Sequence, residues 1–151
     1  MPLSKQLEFA VLICKKLFFD YQEFFDNSNW GNPDTLMDAI TACQRSISNG
    51  ANIPEIEEMI VKVDAITPAT EDFSDWLGSY AMNACVATSE TLLFLVDNNQ
   101  DHIYTVATYY TDTVDFKIHE ENELTYNGIN EHPLMIEARY FLLEKTKPES
   151  V

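Results

Sequence analysis

The sequence predicts an all-α domain, and three observations support this fold class. Long stretches carry apolar residues at steps of three and four, which places those residues on one side of an α-helix. Proline, asparagine and glycine are concentrated at the breaks between these stretches. Only four residues in the chain are glycine, while 46 % are hydrophobic, a composition typical of a compact helical protein. We therefore expect residues 1–151 to form a single domain, a bundle of about six or seven helices.

One predicted helix, near residues 75–97, should be the centre of this bundle. It has an apolar stripe, and its small side chains allow neighbouring helices to approach closely; these are Ala81, Ala84, Cys85 and Ala87. Met37 and Ile40 are expected to face the core from the second helix. The limits of six helices are predicted. These helices run from an N-cap at Ser4 to about Asp26, from Asn32-Pro33 to Asn49-Gly50, from Pro54 to Thr67-Pro68, over about residues 75–97, from about His102 to His119, and from His132-Pro133 onward.

The three cysteines, Cys14, Cys43 and Cys85, are expected to be free thiols in the core. They are odd in number, far apart in the sequence, and each lies on an apolar stripe. Buried thiols fit this pattern better than a disulfide or a metal site does. No apolar run approaches the roughly 20 residues that span a bilayer, and no signal peptide is recognisable. We therefore expect a cytoplasmic protein without a membrane partner.

Acidic residues dominate the charge of the chain. Twenty-five acidic residues against nine basic ones give a formal net charge of −16. Phosphates would be repelled, so direct binding of nucleic acid is disfavoured, whereas a basic protein would be attracted. The same acidity can also serve solubility alone.

Two pairs of carboxylates raise the alternative of a metal-dependent enzyme. Glu55 and Glu58 form the first pair, and Asp72 and Asp75 form the second. The pattern is similar to the Mg²⁺-binding motifs of all-α nucleotide pyrophosphatases. Pro68 separates the two pairs, however, and acidic residues are common at helix starts, where they stabilise the helix dipole. Helix capping is therefore the simpler interpretation.

Other catalytic and metal-binding patterns are weaker. Asp112, Asp115 and His119 can share one side of a helix, but three ligands from one helix rarely complete a metal site. Neither a Gly-x-Ser-x-Gly elbow nor a glycine-rich phosphate loop occurs in the sequence. We therefore predict no catalytic residue, no bound metal and no cofactor.

The outer side of the predicted fifth helix is the main candidate for a binding surface. Tyr109 and Phe116 lie opposite its apolar stripe, and Asp112 and His119 flank them. Aromatic residues ringed by acidic ones suit a surface that binds a basic protein. A helix packed between two layers would show the same pattern, so both interpretations stay open.

Two segments resemble a known family. The run ATEDFSDWLGSYAMNACVATSETL, Ala69 to Leu92, and the run MDAITAC, Met37 to Cys43, are similar to the bacterial family called domain of unknown function 416, the YjaG-like proteins; the best match is AMNACVATSE, Ala81 to Glu90. The resemblance implies an all-α fold of six or seven helices. It implies no activity, because the function of the family is not established. Longer members are expected to extend beyond the C-terminus of this chain.

Together these observations predict a non-enzymatic binding protein, specifically an immunity protein that neutralises a basic bacterial toxin, such as a nuclease, by occluding its active site. One alternative is an all-α metal-dependent nucleotide hydrolase that uses the paired carboxylates. Another is an accessory subunit of a cytoplasmic complex. The predicted partner-binding residues are Tyr109, Asp112, Asp115, Phe116, His119, Glu120, Glu121 and Glu123.

Overall fold

Six α-helices account for most of the residues that the structure describes. The computed structural model describes residues 1–73, 76–120 and 133–146. The helices in these ranges are α1 (Leu3–Ser28), α2 (Pro33–Asn49), α3 (Ile53–Ala65), α4 (Trp76–Asp97), α5 (Gln100–Glu120) and α6 (Pro133–Thr146). A 3-10 helix, Thr70–Asp72, precedes α4, and no strand occurs within these ranges. The predicted all-α fold class is confirmed.

Helix α4 is the centre of the bundle, as predicted. It packs against α1, α2, α3 and α5. Its small side chains Ala81, Ala84 and Ala87 are fully buried, and their size lets the surrounding helices approach the α4 backbone closely. Because α4 touches four other helices, its two ends are held in fixed positions relative to them.

The buried side chain of Tyr21 joins α1 to the residue before α2 and to the residue after α3. Its hydroxyl donates a hydrogen bond to the Ile66 carbonyl (2.8 Å) and accepts one from the Asn32 N–H (3.1 Å). The loop passes close to this hydroxyl at Gly31, where φ is +101° and any side chain would overlap the tyrosine. Glycine is therefore needed at this position.

The observed limits of α1 differ from the predicted ones. The helix is preceded by Pro2 instead of an N-cap at Ser4, because the Pro2 carbonyl already accepts the Gln6 N–H at 3.0 Å. At the other end the helix continues to Ser28 and stops where Asn29 adopts a left-handed conformation with φ 56°. Asparagine tolerates this conformation better than most residues, so it ends the helix in the place of a glycine.

The limits of α2 were predicted correctly, but one of its core positions was wrong. The Asn32 side chain accepts the Thr35 N–H at 3.2 Å, and Gly50, with φ 76°, follows the last turn. Met37, which was expected to face the core, is exposed. It lies on the same side of the helix as exposed Thr41, one turn further on, and away from the buried stripe.

The predicted fifth helix is observed as the continuous helix α5. It begins at Gln100, before the predicted start at His102, and its predicted inner stripe is buried at Ile103, Val106 and Ala107. Residues 98–99 connect it to α4, and α6 packs against it. Within the described ranges, no helix has the length and apolar character that crossing a membrane requires.

Candidate binding surface

An exposed aromatic surface lies where α4 begins and α5 ends. The short α4–α5 connection makes these helices antiparallel neighbours, which brings Trp76 beside Phe116. Their ring centroids are 4.5 Å apart, yet Trp76 is 55 % exposed and Phe116 is 37 % exposed. Asp112 lies one helical turn before Phe116 on the same side of α5. We call Trp76, Asp112 and Phe116 the Trp76 surface.

Buried groups hold this surface in place from below. The ring of Tyr80, which is buried, meets Phe116 edge-on at 6.1 Å. The Lys117 ammonium lies 4.9 Å from the centre of the Tyr80 ring and pairs with Asp20 of α1 at 2.5 Å. The aromatic side chains of the surface therefore rest on an anchored layer and not on a loop.

Asp112 is the acidic residue of the Trp76 surface. It has no ion-pair partner among the residues that the structure describes. Partial burial, and then the negative charge of Asp115, raise the pKa of Asp112. Both effects disfavour its charged form, and a cationic group placed next to it would counteract them by favouring that form.

The other predicted binding residues have different surroundings. Asp115 faces α6 and forms an ion pair with Arg139 at 2.6 Å, so it already has a basic partner within the chain. Tyr109 is half-buried. The side chains of the remaining four lie outside the described part of the chain, and these residues are His119, Glu120, Glu121 and Glu123. Of the predicted set, the structure therefore brings Asp112 and Phe116 together at an exposed surface.

Sequence reasoning missed Trp76 and Arg139. Trp76 is far from Phe116 in the chain, and the two meet because α4 folds back onto α5. The predicted break at residues 98–101 contained this signal, since two helices joined by a short turn place the start of one beside the end of the other. No comparable signal marked Arg139, whose contact with Asp115 depends on how α6 packs.

Comparison with known proteins identifies the family. A family model described as "Protein of unknown function (DUF416)" matches residues 1–146. The chain belongs to the DUF416 family. This confirms the resemblance drawn from Met37 to Cys43 and Ala69 to Leu92. No curated protein matches the chain.

A solved structure shares the fold of this DUF416 protein. The crystal structure of a DUF416 family protein from Shewanella baltica OS155, at 1.91 Å resolution, superposes with a TM-score of 0.74 at 22 % sequence identity. The match covers 100 % of this chain and 83 % of the other. At this level of identity the likeness establishes a common fold.

The first carboxylate pair of this DUF416 member is engaged in surface ion pairs. Glu55 lies 2.8 Å from Arg45, and Glu58 lies 3.2 Å from Lys62. Arg45 belongs to α2, so its contact with Glu55 joins α2 to α3. Both carboxylates therefore have basic partners, and the side chain that caps α3 is that of Asn52.

Each of the remaining metal-binding alternatives includes a side chain outside the described part of the chain. Asp72 lies in the 3-10 helix, and its predicted partner Asp75 lies outside the described residues. In the set of Asp112, Asp115 and His119, Asp115 is paired with an arginine, and the His119 side chain is not among those described. Across residues 1–73, 76–120 and 133–146, no group of three or more His, Cys, Asp and Glu side chains could hold a metal ion.

The cysteines are free and buried, as predicted. Burial raises the pKa of all three thiols, and it raises that of Cys85 to about 12. The Cys14 sulfur lies 3.4 Å from the Thr91 hydroxyl. Because the thiolate is the reactive form, these protonated side chains are core residues and poor nucleophiles.

His102 joins the two helices of the α4–α5 hairpin. Its Nδ1 lies 2.6 Å from a Glu90 oxygen, and its Nε2 lies 2.9 Å from an Asp97 oxygen. Burial lowers the pKa of His102, but the hydrogen bonds and charges of Asp97 and Glu90 outweigh it, so the net pKa is raised. The Asn99 N–H, and then His102, lower the pKa of Asp97.

Replacement of His102 by asparagine is expected to destabilise the protein more at low pH than at high pH. The folded pKa of His102 is raised, so its contribution is complete below the unfolded value of about 6.5 and is lost as pH rises through the folded pKa. The contribution of Asp97 to stability is complete above pH 3.8, because 3.8 is its ordinary pKa. This contribution is lost only as pH falls through the lowered pKa that Asp97 has in the folded protein.

Urea unfolding of the wild type and of His102→Asn at about pH 5.5 and about pH 9 tests this expectation. The unfolding free energies of the two proteins should differ by less than about 1 kcal/mol, because the network is partly exposed. This difference should be larger at about pH 5.5 than at about pH 9, and a difference that grows with pH would contradict a raised pKa for His102.

Proposed function

We propose that this DUF416 protein is a small acidic binding protein of the cytoplasm, specifically an immunity protein that neutralises a basic bacterial toxin by occluding its active site. The observation that carries the proposal is the Trp76 surface. There, two exposed aromatic rings contact each other at a tilted angle, with ring centroids 4.5 Å apart. Asp112 lies one helical turn from Phe116 and has no ion-pair partner among the described residues.

The aromatic pair supplies the apolar part of such an interface. Tryptophan, tyrosine and arginine are the residues most often found at the energetic centre of protein interfaces. The aromatic ones bury large areas with little loss of side-chain freedom. Trp76 is more than half exposed although its neighbour Phe116 shields one side of it. A partner that covered the remaining area would gain hydrophobic free energy without rearranging the helices.

The acidic charge would select the partner. A net charge of −16 attracts basic proteins over long distances and raises their association rate. A basic residue that lay against Asp112 would also offset the repulsion from Asp115. A nuclease fits this description, since its active site is cationic in order to bind phosphates, and carboxylates can take the place of those phosphates. The buried free thiols suit a reducing compartment such as the cytoplasm.

Two substitutions on the Trp76 surface test the proposal. Trp76→Ala removes the larger anchor, and Asp112→Lys reverses the local charge. Each should weaken binding of the basic partner captured from the native host by at least about tenfold. Phe19→Ala and Asp38→Lys are matched controls, because both residues are exposed on other helices, with Phe19 71 % exposed. The controls should change the affinity by less than about twofold.

Titration of the purified partner with each variant, after circular dichroism shows that the fold is intact, provides the measurement. Equal affinities for the wild type and both surface variants would remove the Trp76 surface from consideration. Equal weakening by Asp112→Lys and Asp38→Lys would show that only the total charge matters.

A further inference from the structure

We infer that α6 carries a second docking surface, which accepts a basic amphipathic helix from another protein. The surface is a groove of about 550 Å³, lined by Met1, Pro133, Ile136, Glu137, Tyr140 and Glu144. We call it the α6 groove. It shares no residue with the Trp76 surface, so the inference does not depend on the function proposed above.

The α6 groove is apolar because α6 has apolar residues on two opposite sides. Leu134, Met135 and Ala138 are buried against the rest of the bundle. On the other side, Ile136 is 53 % exposed and Tyr140 is 62 % exposed. A helix that serves only to close the core needs one apolar side, so the second side has no explanation within the part of the fold that is described.

The floor of the groove is formed by packed aromatic rings. Phe141 is buried at its base, where its ring centroid lies 5.5 Å from that of Phe9 and 4.7 Å from that of Tyr104. The groove therefore exists before a ligand arrives, and a ligand would not have to open it. Preformed apolar grooves of this kind accept the apolar side of a helix, with contacts one turn apart.

Two carboxylates among the residues that line the α6 groove identify the occupant. Glu137 and Glu144 are seven positions apart on the same side of α6, a distance of about 10 Å along the helix. Neither has an ion pair within the described ranges. A helix with apolar residues in the groove and lysine or arginine beside them would pair with both carboxylates.

The same carboxylates disfavour two other occupants of the groove, a second copy of the chain and an anionic membrane. If a second copy of the chain bound face to face, Glu137 and Glu144 of one copy would lie close to the same two glutamates of the other. The net charge of −16 on each copy adds to this repulsion. An anionic membrane surface would be repelled in the same way. Charge complementarity therefore points to a basic peptide segment.

A labelled helical peptide of about 18 leucine and lysine residues, arranged with leucine on one side, serves as the probe. Fluorescence anisotropy with the full chain should show saturable binding that weakens with salt. The double variant with Ile136→Ser and Tyr140→Ser, and separately Glu137→Lys, should each weaken binding at least about tenfold. These residues are exposed, so the fold should persist, and circular dichroism checks this.

Matched controls separate the groove from general electrostatic attraction. Val61→Ser removes an equally exposed apolar side chain from α3, Val61 being 70 % exposed, and Asp38→Lys makes a charge reversal on α2. Both should leave the affinity within about twofold of the wild type.

Four outcomes would overturn the inference. Equal weakening by Asp38→Lys and Glu137→Lys would show attraction to the whole acidic protein. Equal binding of an all-lysine peptide would show that the apolar groove contributes nothing. Dimerisation that is lost with Tyr140→Ser would assign the groove to a second copy, and binding to anionic vesicles that depends on Ile136 would assign it to a membrane.

Discussion

Replacement of Phe24 by alanine is expected to lower the free energy of unfolding by about 3–5 kcal/mol. Phe24 is 1 % exposed and lies in the middle of an aromatic cluster. Its ring centroid is 4.8 Å from that of Phe73, 5.9 Å from that of Tyr21 and 6.1 Å from that of Trp30. The cluster joins α1 to the loop before α2 and to the segment before α4, so a cavity here cannot close by moving one helix.

Phe19→Ala is the matched control, because Phe19 lies in the same helix and is 71 % exposed. Its loss should cost less than about 1 kcal/mol, since little of its ring leaves water on folding. Urea unfolding of both variants measures the difference, provided that the dependence on urea concentration is unchanged. Similar losses for the two variants would mean that Phe24 does not occupy the core position described here.

Replacement of Lys117 by methionine is expected to lower the free energy of unfolding by about 2–3 kcal/mol. Lys117 lies 2.5 Å from Asp20, a carboxylate with only 8 % of the residue exposed, and above the Tyr80 ring. Methionine keeps the length of the side chain but leaves the Asp20 charge without its partner in a poorly hydrated place. The loss should be smaller than for a fully buried pair, because the Lys117 side chain is 32 % exposed.

The double variant with Asp20→Leu and Lys117→Met should recover most of that loss, since it removes both charges from the same place. Lys62→Met is the surface control: Lys62 and Glu58 are 3.2 Å apart but 51 % and 67 % exposed, so its loss should cost less than about 0.5 kcal/mol. If the double variant were as unstable as Lys117→Met alone, the loss of stability in Lys117→Met would not come from the unpaired, poorly hydrated charge of Asp20.

The fold class and the central helix could be predicted from the sequence because their signals are local. Apolar steps of three and four depend only on the geometry of one helix, and they identified Trp76–Asp97 to within a residue or two. The caps of α2 were also local, since Asn32 and Gly50 act on neighbouring backbone groups. The start of α1 was predicted less well, because Pro2 and Ser4 are both suitable residues to precede a helix.

The candidate surfaces could be predicted only in part, because they depend on contacts between helices. Asp112 and Phe116 were recognised since they share one side of α5, whereas Trp76 joins them through the α4–α5 hairpin. The pairing of Asp115 with Arg139 depends on the packing of α6 against α5. No feature of one helix alone reveals such a contact.

The net charge could be counted directly from the sequence, but its functional role could not be inferred from it. A net charge of −16 is compatible with solubility, with a toxin partner and with a subunit of a larger complex. The Trp76 surface favours a partner, because an exposed aromatic pair does nothing for solubility. What separates an inhibitor from a complex subunit is the effect on the partner's activity.

The central claim is tested most directly by isolating the partner and assaying it. Tagged protein is incubated with lysate of the native host at low salt, the protein eluted at high salt is identified, and its toxic activity is measured with increasing amounts of the wild type and of Trp76→Ala. The proposal predicts a basic toxin domain whose activity falls to zero at a stoichiometric ratio with the wild type but persists with Trp76→Ala. Full activity of the eluted basic protein at a saturating amount of wild type would contradict it.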